Sequence, residues 1–165
     1  MPASTSPLRS AVAPAEDLVL VHRAELPLSA PACFRLFTTA AGLTAWLCER
    51  ASVDAELGGR YELFWDLAEP EHDSTIGCRI TAFEPDRLVA FQWRSPRQFA
   101  AFANAADPLT HVVVTLHPIE HGCAVTLVHS GWRSAPEWRE AAEWQRRAWD
   151  LAFRALTTQA SAPRE

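Results

Sequence analysis

The segment THVVVTLHPIEHGCAVTLVHSGW, residues 110–132, decides the fold. It contains two runs of alternating apolar residues, Thr110 to Ile119 and Cys123 to His129, separated by the turn chemistry of Glu120-His121-Gly122. So short a connection joins only antiparallel strands, because a parallel crossover needs roughly a dozen residues or more. The segment closes on His129-Ser130-Gly131-Trp132, and Ser134-Ala135-Pro136-Glu137 follows with the Ser-x-x-Glu spacing of a capping box and a proline in the first turn. A hairpin that hands the chain to a long helix is therefore expected. That helix is predicted to run to about Thr158, roughly 33 Å at 1.5 Å per residue. On it Trp138, Ala142, Gln145, Trp149, Phe153 and Leu156 share one side, while Arg139, Arg146, Arg147, Asp150 and Arg154 take the other.

Upstream the same strand chemistry repeats. Asp17 to Leu26 reads as a first strand stopped by Pro27. Ser29 stands where an N-cap belongs, with Pro31 in the first turn of a short helix to about Thr38; a second short helix, Ala40 to Leu47, carries Trp46 on its apolar edge. Strand-like runs follow at Ala51 to Ala55, Arg60 to Leu67, Thr75 to Phe83 and Leu88 to Arg94, separated by Gly58-Gly59, Glu69-Pro70-Glu71 and Glu84-Pro85-Asp86. Alternation puts Tyr61, Leu63 and Trp65 on one side of their strand, as it does Val89, Phe91 and Trp93, then Val112, Val114 and Leu116, then Val125, Leu127 and His129. One sheet face is thus apolar and aromatic, and the long helix belongs on it. The connection Ser95 to Leu109 exceeds hairpin length; a short helical plug over the sheet edge is the favoured reading, with a lid or contact surface as the alternative.

Composition bounds the rest. A chain of 165 residues fits one domain, and folding at that size removes roughly 70% of the unfolded surface from water, enough for a core without staples. The predicted organisation is a mobile leader over 1–16, a domain over 17–158 and a mobile tail over 159–165. All 15 basic residues are arginine and the net charge is -5, so no stretch offers the clustered positive charge that phosphate backbones require, and nucleic acid is not an expected partner. No apolar run is long enough to span a bilayer, so no membrane partner is expected either. Cys33, Cys48, Cys78 and Cys123 form no C-x-x-C pair and no signal peptide precedes the domain, which reads as a reduced, cytoplasmic protein.

The order of these elements resembles a known family. The chain is similar to START-like (SRPBCC superfamily) proteins of the group related to the C-terminal domain of the activator of the 90-kDa heat shock protein ATPase. The resemblance covers about Val19 to Leu156. It rests on Ser29-Ala30-Pro31 leading into Phe34 and Phe37, on Trp46, on Gly58-Gly59-Arg60-Tyr61 and Gly77, on Glu84 to Val89 with Trp93 beyond, on His129 to Trp132, and on Trp149, Phe153 and Leu156. It implies an α+β helix-grip fold: a curved antiparallel sheet of about seven strands wrapped around the long C-terminal helix, with two short helices after the first strand. It also implies an apolar or amphipathic small molecule held between sheet and helix, with lyase, cyclase or hydrolase chemistry in some relatives of the wider superfamily. A chaperone interaction is a lesser expectation, because the separate N-terminal domain of the eukaryotic co-chaperone has no counterpart here.

The candidate ligand-binding residues are Trp46, Tyr61, Leu63, Trp65, Arg79, Phe91, Trp93, Val114, Leu127, His129, Gln145, Trp149 and Phe153. Strand parity places His129 on the inner face, where an imidazole could orient a carbonyl or act as general base. The competing reading is a core histidine satisfied by a neighbouring hydroxyl or backbone group, and no carboxylate partner is identifiable by spacing. His22 is a weaker candidate of the same kind, and His111 and His117 are expected to face water. No residue is assigned a catalytic role. Neither metal-ligand spacing nor a cofactor motif is present, and Ser130 lacks a nucleophile elbow, so no metal, cofactor or catalytic serine is expected. Trp144 and Leu151 form a second apolar patch off the buried side of the helix, a candidate homodimer contact or a seat for the leader.

Overall fold

The computed structural model describes residues 18–163. The expected leader lies outside them, as do Asp17 and the last two residues of the expected tail, while Gln159 and Ala160 continue the C-terminal helix. The elements run β1 (Leu20–Leu26), α1 (Ala30–Thr38), α2 (Ala40–Thr44), β2 (Arg50–Val53), β3 (Tyr61–Phe64), β4 (Ile80–Glu84), β5 (Leu88–Trp93), α3 (Ala100–Ala103), β6 (Thr110–Ile119), β7 (Gly122–Ser130) and α4 (Pro136–Ala160).

Five strands form one antiparallel sheet in the order β1-β7-β6-β5-β4, and β2-β3 make a two-stranded ribbon. The two parts are continuous through the segment that leads into β4. Its first half pairs with β3, through Tyr61 N–H to Cys78 C=O at 2.9 Å and Thr75 N–H to Leu63 C=O at 2.9 Å. Its second half turns away to pair with β5. The run predicted as one strand over Thr75 to Phe83 is thus bent, with Gly77 at φ +83° in the bend. The whole is the seven-stranded curved sheet of a helix-grip fold.

Burial follows the predicted alternation. Along β7, and along β6 as far as Leu116, every second residue is buried, and the register stacks Val112 on His129, Val114 on Leu127 and Leu116 on Val125. Cross-strand pairs of β-branched and aromatic side chains of this kind are the stabilising unit of a sheet. Helix α4 lies on that inner face and buries Trp138, Gln145, Trp149, Phe153 and Leu156.

The paired glycines of the β2–β3 turn are both needed, for different reasons. Gly58 sits at φ +79°, a left-handed conformation that a side chain disfavours. Gly59 is held where an added Cβ would stand 2.0 Å from the Asp54 carbonyl oxygen.

Three local expectations are corrected. Ser134 does not cap α4; the N-cap is Ala135, without a side-chain bond, and Pro136 opens the helix, its fixed φ and missing N–H suiting the first position. The 95–109 connection does hold short helix, a 3-10 turn over Arg97–Phe99 and then α3. It packs against α4 rather than over a sheet edge, with Phe99 on Trp144 (6.0 Å) and Phe102 on Trp138 (5.3 Å). His111 is half-buried on the outer sheet face, its Nε2 2.6 Å from Thr81 Oγ1, whereas His117 is exposed as expected.

Candidate functional site

Between α4, the end of α2 and the ends of β3 and β5, the interior opens into a cavity of about 550 Å³. Trp46, Trp65, Trp93, Trp144 and Trp149 all line it, with Ala148, Ala152 and Ala155 giving α4 a low floor between them. Small residues on the helix and large rings around it create the space. A sheet curved this far cannot be met by alanine side chains, so a void stays open toward solvent.

Each ring is fixed by its own polar handle or by its neighbours. Trp46 Nε1–H donates to the Leu36 carbonyl (2.9 Å) and Trp65 Nε1–H to the Leu47 carbonyl (2.7 Å). Trp93 stands edge-on to Trp65 at 5.8 Å and tilted on Trp149 at 5.1 Å. Aromatic packing with satisfied N–H groups makes such a wall rigid before any ligand arrives.

Polar groups in the wall are few. Gln145, 4% exposed, accepts from Trp93 Nε1–H at 3.3 Å. An indole N–H can only donate, so the amide oxygen faces Trp93 and the amide NH₂ is left over. Among the described residues no acceptor reaches that NH₂. Arg94 also lines the cavity, half-buried, with one N–H bond to the Ile76 carbonyl (3.0 Å). At the rim Asp73 gives both carboxylate oxygens to Arg97, whose guanidinium further pairs with Asp66 (3.0 Å) and Glu69 (2.7 Å). Hydrogen bonds to Glu69 and then Asp73 hold the Arg97 pKa above its already high ordinary value. The clamp ties the 66–73 turn to the start of the 95–109 connection.

His129 is elsewhere. It is 0% exposed and is not among the lining residues. Its Nδ1 accepts from Trp149 Nε1–H (3.1 Å), so the ring proton sits on Nε2 and is directed at Thr110 Oγ1 (3.0 Å). Burial without a counter-charge lowers its pKa to about 3, with the nearby His111 and His22 adding smaller effects in the same direction. A histidine so placed is neutral across the physiological range and already uses both nitrogens. It orients Trp149, and through Trp149 the cavity wall.

Of the thirteen residues singled out by the sequence, Trp46, Trp65, Trp93, Gln145 and Trp149 line the cavity. Tyr61, Leu63, Phe91, Val114, Leu127 and His129 lie in the packed core behind it. There Tyr61 stacks on Phe91 at 3.8 Å and donates its hydroxyl to the Phe37 carbonyl at 2.6 Å. Phe153 lines a separate shallow groove with His22, which is 3.3 Å from Asp150. Arg79 is exposed on the outside and reaches the Gly58 carbonyl.

The residues the pattern did not reveal are Arg94, Asp73, Ser74 and Gln98, together with Trp144 and Leu151, the last two assigned to an outer patch but standing at the cavity mouth. Period-2 parity assigns Arg94 to the outer face because Trp93 points in. The strand ends at Trp93, however, and the rule lapses there. Among the described residues no group of three or more His, Cys, Asp or Glu could hold a metal ion, and no helix is long and apolar enough to cross a membrane.

The sequence pattern of the family described as "Activator of Hsp90 ATPase homolog 1-like protein" matches residues 28–160. No protein of curated function matches the sequence. Among solved structures, protein MLL2253 from Mesorhizobium loti is 22% identical with a TM-score of 0.70, over 86% of this chain and 96% of that one. An Aha1 dimer from Colwellia psychrerythraea is 17% identical with a TM-score of 0.67, over 90% and 99%. CalU16 from Micromonospora echinospora is 17% identical with a TM-score of 0.63, over 90% and 80%. At these identities the likenesses establish the fold.

Proposed function

Because the chain belongs to the activator of Hsp90 ATPase homolog 1-like family, a branch of a superfamily that commonly binds ligands, we propose that it is a small-molecule-binding protein holding an apolar or amphipathic ligand between its sheet and α4. The observation that carries this reading is the cavity of about 550 Å³ with five tryptophans in its wall. Its size lies within the range that encloses drug-sized ligands, and burial of apolar area at roughly 25 cal/mol per Å² supplies the affinity while the few polar groups orient. A pocket this rich in tryptophan has no need to exist for stability, since alanines at Ala148 and Ala152 leave unfilled what larger side chains would fill.

Titration with the neutral probe N-phenylnaphthylamine, read by its own emission and by tryptophan fluorescence, tests the reading. Saturable uptake that Ala152→Phe abolishes is expected. Uptake absent in the parent protein, or indifferent to Ala152→Phe, would sink it. Catalysis through His129 lacks support, because the imidazole is sealed behind Trp149 with no carboxylate among its described hydrogen-bond partners.

A homodimer is a second proposal, supported by the dimeric Colwellia structure and by the exposure of Leu151 (64%) beside Trp144 at the mouth. Light scattering on Trp144→Arg checks it: a dimer that this substitution leaves intact does not use the mouth.

A further inference from the structure

Resting on the cavity-binding reading, we propose that the ligand carries a carboxylate, received by the guanidinium of Arg94 with the Gln145 amide as a neutral second donor. Arg94 is the cation of the cavity wall. It is half-buried, it spends one N–H on the Ile76 carbonyl, and among the described residues no acid pairs with it. A guanidinium offers five N–H donors in a fixed fork, so most of its capacity stays open. Half-buried and without a paired acid, the guanidinium can give a bound anion charge-assisted hydrogen bonds that solvent screens less than at the open surface.

The neighbouring Arg97 shows what a structural arginine looks like in the same molecule. It spends three of its five N–H donors on Asp66, Glu69 and Asp73, and three carboxylates more than offset its single positive charge. Asp73, the acid among the lining residues, is consumed in that clamp and does not neutralise Arg94. Arg94 is therefore the charged group of the wall that no described acid contacts, and an anion would have to bind at its fork.

The anion is a monoanion. Three carboxylates against one arginine at the rim leave local negative charge, which opposes a doubly charged phosphate monoester but tolerates one planar carboxylate engaged by the fork. Gln145 contributes the unused NH₂ of a side chain that is 4% exposed, fixed by the bond from Trp93 to its oxygen.

Displacement of bound N-phenylnaphthylamine by decanoate, decanol and decyl phosphate tests the assignment. Decanoate is expected to bind about tenfold to a hundredfold more tightly than decanol, the range of a charge-assisted hydrogen bond, and decyl phosphate more weakly than decanoate. Arg94→Gln should weaken decanoate far more than decanol and so close the gap between the two; Arg94→Lys, which keeps the charge and loses the fork, should fall between. Equal binding of decanoate and decanol to the parent protein, an unchanged ratio in Arg94→Gln, or tighter binding of decyl phosphate would each overturn the carboxylate assignment. In all three cases probe binding persists and the cavity reading survives. Loss of probe binding by the parent protein itself is the separate result that removes both.

Discussion

His129 and Gln145 are two buried polar side chains, each accepting from one indole of the same tryptophan pair, and the molecule treats them oppositely. The imidazole donates to Thr110, accepts from Trp149 and is sealed. The carboxamide accepts from Trp93 and keeps its NH₂ for the cavity. Trp93 and Trp149 themselves stand 5.1 Å apart. The boundary between solid core and open site therefore runs through one pair of rings: behind them both nitrogens of His129 are engaged, in front of them the Gln145 NH₂ is left open. An unspent donor alone does not mark a site, since the Trp132 Nε1–H is buried without a partner among the described residues, 4.7 Å from the His129 ring; what separates His129 from Gln145 is that only Gln145 meets the cavity.

The largest expected effect tests the sealed side. His129→Ala removes ring packing and leaves the Trp149 N–H and the Thr110 hydroxyl without their partner. Together these losses should cost about 3–5 kcal/mol of unfolding free energy, read as a shifted denaturant midpoint at unchanged m-value. A cost below about 1 kcal/mol would mean that the sealed histidine is not structural.

The same residue gives a pH signature. Its folded pKa, about 3, lies below the ordinary histidine value of 6.5, so the unfolded chain binds the proton first. The contribution is fully present above the unfolded pKa and is lost as pH falls through the interval toward about 3. Within that window stability should drop by about 1.4 kcal/mol per pH unit on account of this one site. His22 and His111, also shifted down by burial, act in the same sense. Comparison with His129→Gln isolates the single-site slope, and identical pH profiles of the two proteins would contradict it.

Gln145→Leu probes the open side at smaller cost. Trp93 Nε1–H loses its acceptor, which should cost about 1–2 kcal/mol of stability. The distinguishing effect is on ligands: those with an acceptor group should weaken about tenfold, while a purely apolar probe should bind as well or better. Equal loss for both classes would place the amide outside the binding event.

Much of the architecture was legible in the sequence because it rests on local rules. Alternation in β6 and β7, the Ser29 cap and Pro31, and the apolar stripe of α4 depend on neighbours within a few residues. Parity also put His129 on the inner face correctly. It did not distinguish solid core from cavity wall, because Phe91 and Trp93 obey the same alternation and only one of them meets the void. That difference arises where α4 offers alanine in place of a bulky side chain, a matter of which helix residue stands opposite which strand residue. Arg94 and Trp144 were missed for a related reason, one standing just past a strand end and the other on the flank of the helical stripe. A period read along one element is silent about what a second element leaves uncovered.

The smallest effect separates the rim from both interior regions. Arg97 is exposed and binds three carboxylates across two connections, and charge pairs in such surroundings are screened by water and salt. Arg97→Ala should therefore leave the denaturant midpoint nearly in place. It should instead speed amide exchange in the 66–73 turn, whose acidic side chains lose their common partner, and so raise the dissociation rate of a cavity ligand more than its association rate. Hydrogen exchange of the ligand-free protein reads the first effect and stopped-flow fluorescence the second. If the midpoint falls as far as in Gln145→Leu, the rim belongs with the structural core, and the division drawn between His129 and Gln145 extends to the surface.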